Sequence, residues 1–127
     1  MAFGRGELYD VRRLVAGVAH EAGLSRRRAD DLTVAVNELA ANSVDHGGGR
    51  GTVHAWVEPD AVVVEVVDAG DLARREPGRS PQAAPPRADA ERGRGLWIAR
   101  QLADDLEIAP ADAASGSGTV VRVVQAR

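Results

Sequence analysis

Glu38 and Asn42 stand four positions apart in VNELAANSVDHGGG, residues 36–49, a stretch otherwise rich in valine, leucine and alanine and closed by three glycines. At about 100° per residue, the pair shares one side of a helix with Asp31 and Asp45, while Ala29, Leu32, Val36, Ala40 and Ser43 line the opposite side. Taken alone, such a polar side is a solvated surface. Val34, Ala35 and Ala41, however, lie within about 60° of Glu38 by the same geometry, so the polar side is itself studded with apolar residues and is expected to be covered. In a partly dehydrated cleft a carboxylate can act as a general base, and an amide oxygen can ligate a hard cation.

Two further clusters could bear chemistry. Asp68-Ala69-Gly70 closes an apolar run. Its plain reading is a turn, and its functional one is a carboxylate that accepts a hydrogen bond from an exocyclic base amine beside a glycine that admits a ligand to the backbone. Gly93-Arg94-Gly95 leads into Leu96-Trp97-Ile98. Backbone N–H groups at a helix start, with Arg92 and Arg94 nearby, suit phosphate, although the stretch serves equally as a flexible exit from a loop. Neither GxGxxG after a strand nor GxxxxGK[ST] is present.

The elements that must position these residues follow from periodicity. Leu8, Val11, Leu14, Val15, Val18, Ala19 and Ala22 fall at helical spacing, and Gly23 ends that helix. Ser25 caps a second helix that runs to the glycines at 47–49. GTVHAWV (51–57) and AVVVEVVD (61–68) read as a β-hairpin across Glu58-Pro59-Asp60, with the second strand inside a sheet. Residues 71–92 carry Pro77, Pro81, Pro85 and Pro86 and little apolar bulk, so they read as a long structureless loop, either an active-site lid or a disordered linker. A glycine-led helix (GRGLWIARQLADD), a short strand around Leu106 to Ile108 and a last strand TVVRVVQA follow. This order predicts one α+β domain, a two-layer α/β sandwich whose mixed, mostly antiparallel sheet is covered on one face by helices.

Composition narrows the function classes. The chain has 127 residues, enough for one core, and its 16 basic residues, all arginine, face 19 acidic ones for a net charge of −3. That balance gives no electrostatic reason to expect direct nucleic-acid binding or an anionic membrane. Absence of cysteine excludes disulfides, a thiolate nucleophile and Cys-based zinc. No apolar run approaches the roughly 18 residues of a membrane span, so the expected compartment is the cytoplasm.

Together and in this order, the pieces resemble the nucleotide site of the GHKL (histidine-kinase-like) ATPase superfamily, with its Bergerat-type fold. Within it the chain is similar to the anti-sigma regulatory factor branch of serine/threonine-protein kinases. AVNELAANSVDHG resembles the N-box, VVDAG the first glycine box, GRGLWIARQLAD the second, and Gly118-Thr119 the terminal Gly-Thr pair. The resemblance implies ATP and Mg²⁺ as ligands, Glu38 as the general base for an attacking hydroxyl, Asn42 as the metal ligand and Asp68 as the acceptor for the adenine amine, supported by Thr119. It further implies nucleotide contacts at Asp45, His46, Gly70, Arg92, Gly93, Arg94, Gly95 and Leu96, and an ATP lid over 71–92.

By the same resemblance the protein phosphorylates a small anti-sigma antagonist and binds a sigma factor, and is compatible with a homodimer. Two departures stand out. Asp71-Leu72 replaces the second glycine of the first box, placing negative charge near the nucleotide, and the N-terminal strand shrinks to MAFGRGE, as in a domain cut from a longer regulator. The alternatives are a non-catalytic ATP-binding signalling module and the ATPase domain of a larger sensor regulator. His20-Glu21 invites a histidine-kinase phosphoacceptor, but no dimerising helical hairpin fits around it, so His20 reads as structural or solvated.

Overall fold

A computed structural model describes residues 1–76, 78 and 94–127. Strand β1 (Ala2–Gly4) and a 3-10 turn lead into helix α1 (Leu8–Glu21), then α2 (Arg26–His46), the hairpin β2 (Arg50–Glu58) and β3 (Ala61–Asp68), a one-turn helix α3 (Leu72–Arg75), α4 (Arg94–Leu102), β4 (Asp105–Ala109) and β5 (Thr119–Ala126). The sheet runs β1-β2-β3-β5-β4. All its strand pairings are antiparallel among the described residues, where a mixed sheet was expected. The N-terminal segment MAFGRGE thus still supplies a strand, three residues long and paired to β2 through Phe3↔Gly51.

The helices form where their apolar stripes predict. Val11, Val15 and Ala19 of α1 are fully buried, as are Leu32, Ala35, Val36 and Ala40 of α2. Each such valine or leucine contributes roughly 1.5–3 kcal/mol relative to exposure. Ser25 caps α2 by accepting a hydrogen bond from Arg28 N at 3.3 Å, a type of contact worth about 1 kcal/mol. These side chains meet Val53, Val64, Val66, Val121, Val123, Leu106 and Ile108 in one core on the helix-covered face of the sheet. β3 is the central strand, and its residues from Ala61 to Val64 are buried along with Val66.

On the opposite face Arg122 donates to Glu65 Oε2 at 2.9 and 2.8 Å and lies 5.9 Å from the Trp56 ring centroid. The neighbouring Glu65 carboxylate raises the arginine's pKa above its ordinary value.

A polar network fixes α4 over α2. Gln125 is 1% exposed, yet its amide donates to Arg28 O at 3.2 Å and Leu102 O at 3.4 Å, and its oxygen accepts from Asp104 N at 3.0 Å. Asp104 in turn pairs with Arg28 and accepts from Ala126 N at 2.6 Å. The C-terminal end of α4 is thereby tied to the start of α2 and the end of β5. A buried amide satisfied on both sides holds this register, since an unpaired one costs about 1–3 kcal/mol.

The expected long loop at 71–92 is in part structured. Leu72 and Ala73 are 9% and 5% exposed and pack on the core as α3, and Gly78 bridges Ile108 on the edge strand β4. The hydrophobic pair Leu72-Ala73 supplies anchorage that the surrounding charges and prolines conceal in the sequence. Pro77 and residues 79–93, with the Arg92 and Gly93 expectations and most of the expected lid, lie outside the described residues.

Candidate functional site

The end of the central strand meets the end of α2. Asp68, paired across the sheet with Thr119, is held by two hydrogen bonds. Ser43 Oγ donates to Oδ2 at 2.6 Å, and Gly70 N donates to Oδ1 at 2.8 Å. The close approach requires glycine. A Cβ on Gly47 would overlap the Asp68 carboxylate, and one on Gly70 would stand 2.9 Å from Gly47 Cα and 3.1 Å from Asp68 Oδ1. The first of the three glycines that close α2 therefore clears space for Asp68, beyond merely ending the helix.

Thr119 lies behind this turn. Its buried hydroxyl donates to Gly70 O at 3.1 Å and accepts from Ala73 N at 3.0 Å. The support expected of Thr119 is thus given to the backbone around Asp68, with the hydroxyl's proton already committed.

Asn42, His46, Gly47, Asp68 and Gly70 line one cavity with Asp71, Leu72 and Arg75. Its volume is about 10 Å³, room for a single water. Small-molecule sites span roughly 300 Å³ or more, so the cavity as it stands is smaller than a base requires. The negative charge expected of Asp71 is matched on the spot, because Arg75 pairs with it at 3.4 Å, one helical turn on. Arg75 is a cation at the site that the sequence reading passed over, although the i,i+4 spacing in DLARR signals the pair.

Glu38 lies half-buried on the same side of α2, where α4 begins. A Cβ at Gly95 would stand 3.0 Å from Glu38 Oε2, so the glycine lets the helix start press directly onto the carboxylate. The N-terminus of a helix favours such a negative charge. The expected cover over this side of α2 is one-sided: Ala35 and Leu39 are buried while Val34 is 44% exposed.

Other expected residues diverge from the cavity. Asp45 turns outward to Arg5, 2.6 Å away, with half its side chain exposed. Leu96 is 4% exposed and belongs to the core. Arg94 opens α4 and is exposed. A hollow of about 240 Å³ at the β1 edge, lined by Phe3, Gly4, Glu7 and Arg50 among others, shares no residue with this cluster. Glu7 is already engaged there by Gly4 N at 2.9 Å.

The donor set can be tested for Mg²⁺. Among the described residues no three of His, Asp and Glu come together as a metal cage. Asn42 offers a half-buried amide oxygen beside the cavity, and one or two protein oxygens suffice for a cation that retains water and phosphate ligands. The site fits Mg²⁺ delivered with a phosphate ligand and does not fit a cation held by protein alone.

Ser43 and Gly47 were not singled out for function from the sequence. A hydroxyl on the apolar side of a helix must find a partner when buried, and that was the available signal.

Comparison with known proteins places these features. Residues 5–125 match the histidine kinase-like ATPase domain family. The serine-protein kinase RsbW of Listeria monocytogenes serotype 4a (strain HCC23) is 33% identical over 107 residues, covering 76% of this chain and 68% of that protein. The anti-sigma F factor of Clostridium acetobutylicum is 29% identical over 117 residues, 87% of this chain and 79% of its own. The mycobacterial sensor histidine kinase MprB shares the fold, with a TM-score of 0.51 at 19% identity over 99% of this chain and 96% of that one. With nearly the whole chain inside the family match, the protein belongs to the histidine kinase-like ATPase domain family, as a distant relative of the RsbW kinases and the anti-sigma F factor.

Proposed function

We propose that the protein binds Mg²⁺-ATP and phosphorylates a serine or threonine of a small antagonist protein, and that it binds a sigma factor in the same regulatory exchange. The observation that carries this reading is the Asp68 carboxylate, fixed by Ser43 and Gly70 in a cavity shared with Asn42. Kinship with RsbW and the anti-sigma F factor supports the partners, and the setting proposed with them is the cytoplasm. No helix among the described residues is long and apolar enough to cross a membrane.

Bound Mg²⁺-ATP would supply a transferable phosphoryl group with its charge partly neutralised. In this reading Asp68 accepts a hydrogen bond from the adenine amine, while Asn42 presents its side-chain oxygen to the metal. Glu38 takes the proton from the attacking serine or threonine hydroxyl as the new oxygen–phosphorus bond forms and ADP leaves. The start of α4, with Arg94 and Gly95, would lie toward the phosphates. His46 and Arg75 line the cavity and add positive or polar surface to it.

A second reading is a non-catalytic nucleotide-binding module. It is favoured by the small cavity, about 10 Å³, whose lining includes Leu72 and Arg75 of α3, so that nucleotide entry would be linked to movement of α3. The deciding experiment measures Mg²⁺-dependent ATP binding and phosphate transfer to a co-encoded antagonist, for the wild type and for Glu38→Ala. Transfer by the wild type that disappears in the variant, with binding retained, supports the kinase. Binding without any transfer selects the module, and no binding at millimolar ATP removes both.

A further inference from the structure

We propose that Ser43 is the positioning residue that sets purine specificity, by fixing the Asp68 carboxylate as a pure hydrogen-bond acceptor. The inference rests on the assignment of Asp68 to an adenine amine and goes beyond it to a residue with no assigned part in the site.

Ser43 lies on the sheet-facing side of α2 and is 1% exposed. Its hydroxyl has one proton and two acceptors within reach, Asp68 Oδ2 at 2.6 Å and Leu39 O at 3.2 Å. The carboxylate is nearer and charged, and 2.6 Å lies in the range of O–H···O⁻ bonds, roughly 2.5–2.7 Å. The proton therefore goes to Asp68. Gly70 N donates to the other oxygen at 2.8 Å, so each carboxylate oxygen receives one protein donor and the plane of the group is fixed from two sides. Gly47 makes this possible, because any side chain there would collide with Oδ2.

An ionised carboxylate has about four lone-pair sites, all acceptors. Two are filled by Ser43 and Gly70, and what remains can only accept. A 6-amino purine presents a donor to that edge. A 6-oxo purine presents a second acceptor, leaving two lone pairs opposed in a partly dehydrated site, the arrangement that rejects an analogue most strongly. Without the Ser43 hydroxyl, Oδ2 loses its fixed donor. The carboxylate can then turn away from the edge it presents, which weakens its contact with a 6-amino group and relieves its opposition to a 6-keto group.

The test compares ATP with inosine triphosphate, which differs from it at the purine 6-position, by equilibrium binding to the full chain with Mg²⁺. Ser43→Ala is expected to lower the ATP-to-inosine-triphosphate affinity ratio by about tenfold, the scale of one hydrogen bond to a charged group. Ser43→Cys, close in size but only a weak donor, is expected to lower it in the same direction and carries the comparison if the alanine variant does not fold. Circular dichroism melts establish which variants are folded. A purely structural serine would weaken both nucleotides in parallel and leave the ratio where it was. An unchanged ratio in a folded variant overturns the role of Ser43 while leaving ATP binding intact as a function. A wild type that binds neither nucleotide overturns the nucleotide reading and this inference together.

Discussion

The two ends of the candidate site are built differently. At the Asp68 end each carboxylate oxygen already has a donor, Thr119 braces the turn behind it, and Gly47 and Gly70 allow contacts that any side chain would block. At the Glu38 end, neither Glu38 nor Asn42 makes a side-chain hydrogen bond among the described residues, and the nearest constraint is the backbone of Gly95. Under the proposed function, the contrast separates two tasks. Recognition is served by groups whose orientation is settled before a ligand arrives, which lowers the cost of binding. If Glu38 and Asn42 act as the proposed base and metal ligand, they must exchange partners during turnover, and protein hydrogen bonds to them would compete with the reaction.

This comparison can be broken at either end. The largest expected effect is at Glu38. Glu38→Ala should reduce phosphate transfer by about 100-fold or more, the range for loss of a general base, with ATP affinity within about threefold of wild type. Transfer assays beside equilibrium binding measure both, and a parallel loss of binding would show that the Glu38 end is also a recognition element.

Asp68→Asn should act the opposite way, through binding, by about 100-fold. Asparagine offers a single acceptor oxygen where Ser43 and Gly70 both donate, so its NH₂ must face either a protein donor or the ligand amine. Titration with ATP tests this, and near-normal affinity would remove the assignment of Asp68.

A smaller effect is expected at Gly47. Gly47→Ala should cost about 1–3 kcal/mol of stability through overpacking against Asp68, together with a fall in ATP affinity of about tenfold. Thermal melting and binding would be read together, since a stable variant with normal affinity would mean that the helix end and strand end are free to separate. Gly95→Ala should cut transfer only severalfold and spare binding, because its Cβ would stand 3.0 Å from Glu38 Oε2, a contact that a side-chain rotation of about 1 kcal/mol relieves. As a control away from both ends, Arg122→Ala removes an exposed ion pair with Glu65 and should change stability by no more than about 1 kcal/mol.

How much of this was legible depends on whether the signal is local. Helices α1 and α2 and the β2–β3 hairpin carry long periodic patterns, with Ser25 and Pro59-Asp60 as punctuation, so their boundaries agree closely with the structure. β1 has three residues and α3 four, too few for any period to emerge. Leu72 and Ala73 needed a core to pack against before a proline-rich, charged segment could contain a helix. At the site, Asn42, His46, Asp68 and Gly70 were all anticipated and share one cavity. Asp45 shares their helical side but is drawn away by Arg5, forty residues earlier in the chain, which no spacing rule encodes.

The sequence alone determined the family, the helices that carry Glu38, Asn42 and Ser43, and the strand that ends in Asp68, because each of these rests on residue order and short-range periodicity. Tertiary structure decided which groups meet. Asp68 finds Ser43 twenty-five residues away and Thr119 across the sheet, and Gly47 is required only because that carboxylate arrives beside it. Such pairings depend on how strand and helix ends converge in space, and a one-dimensional pattern does not contain that distance.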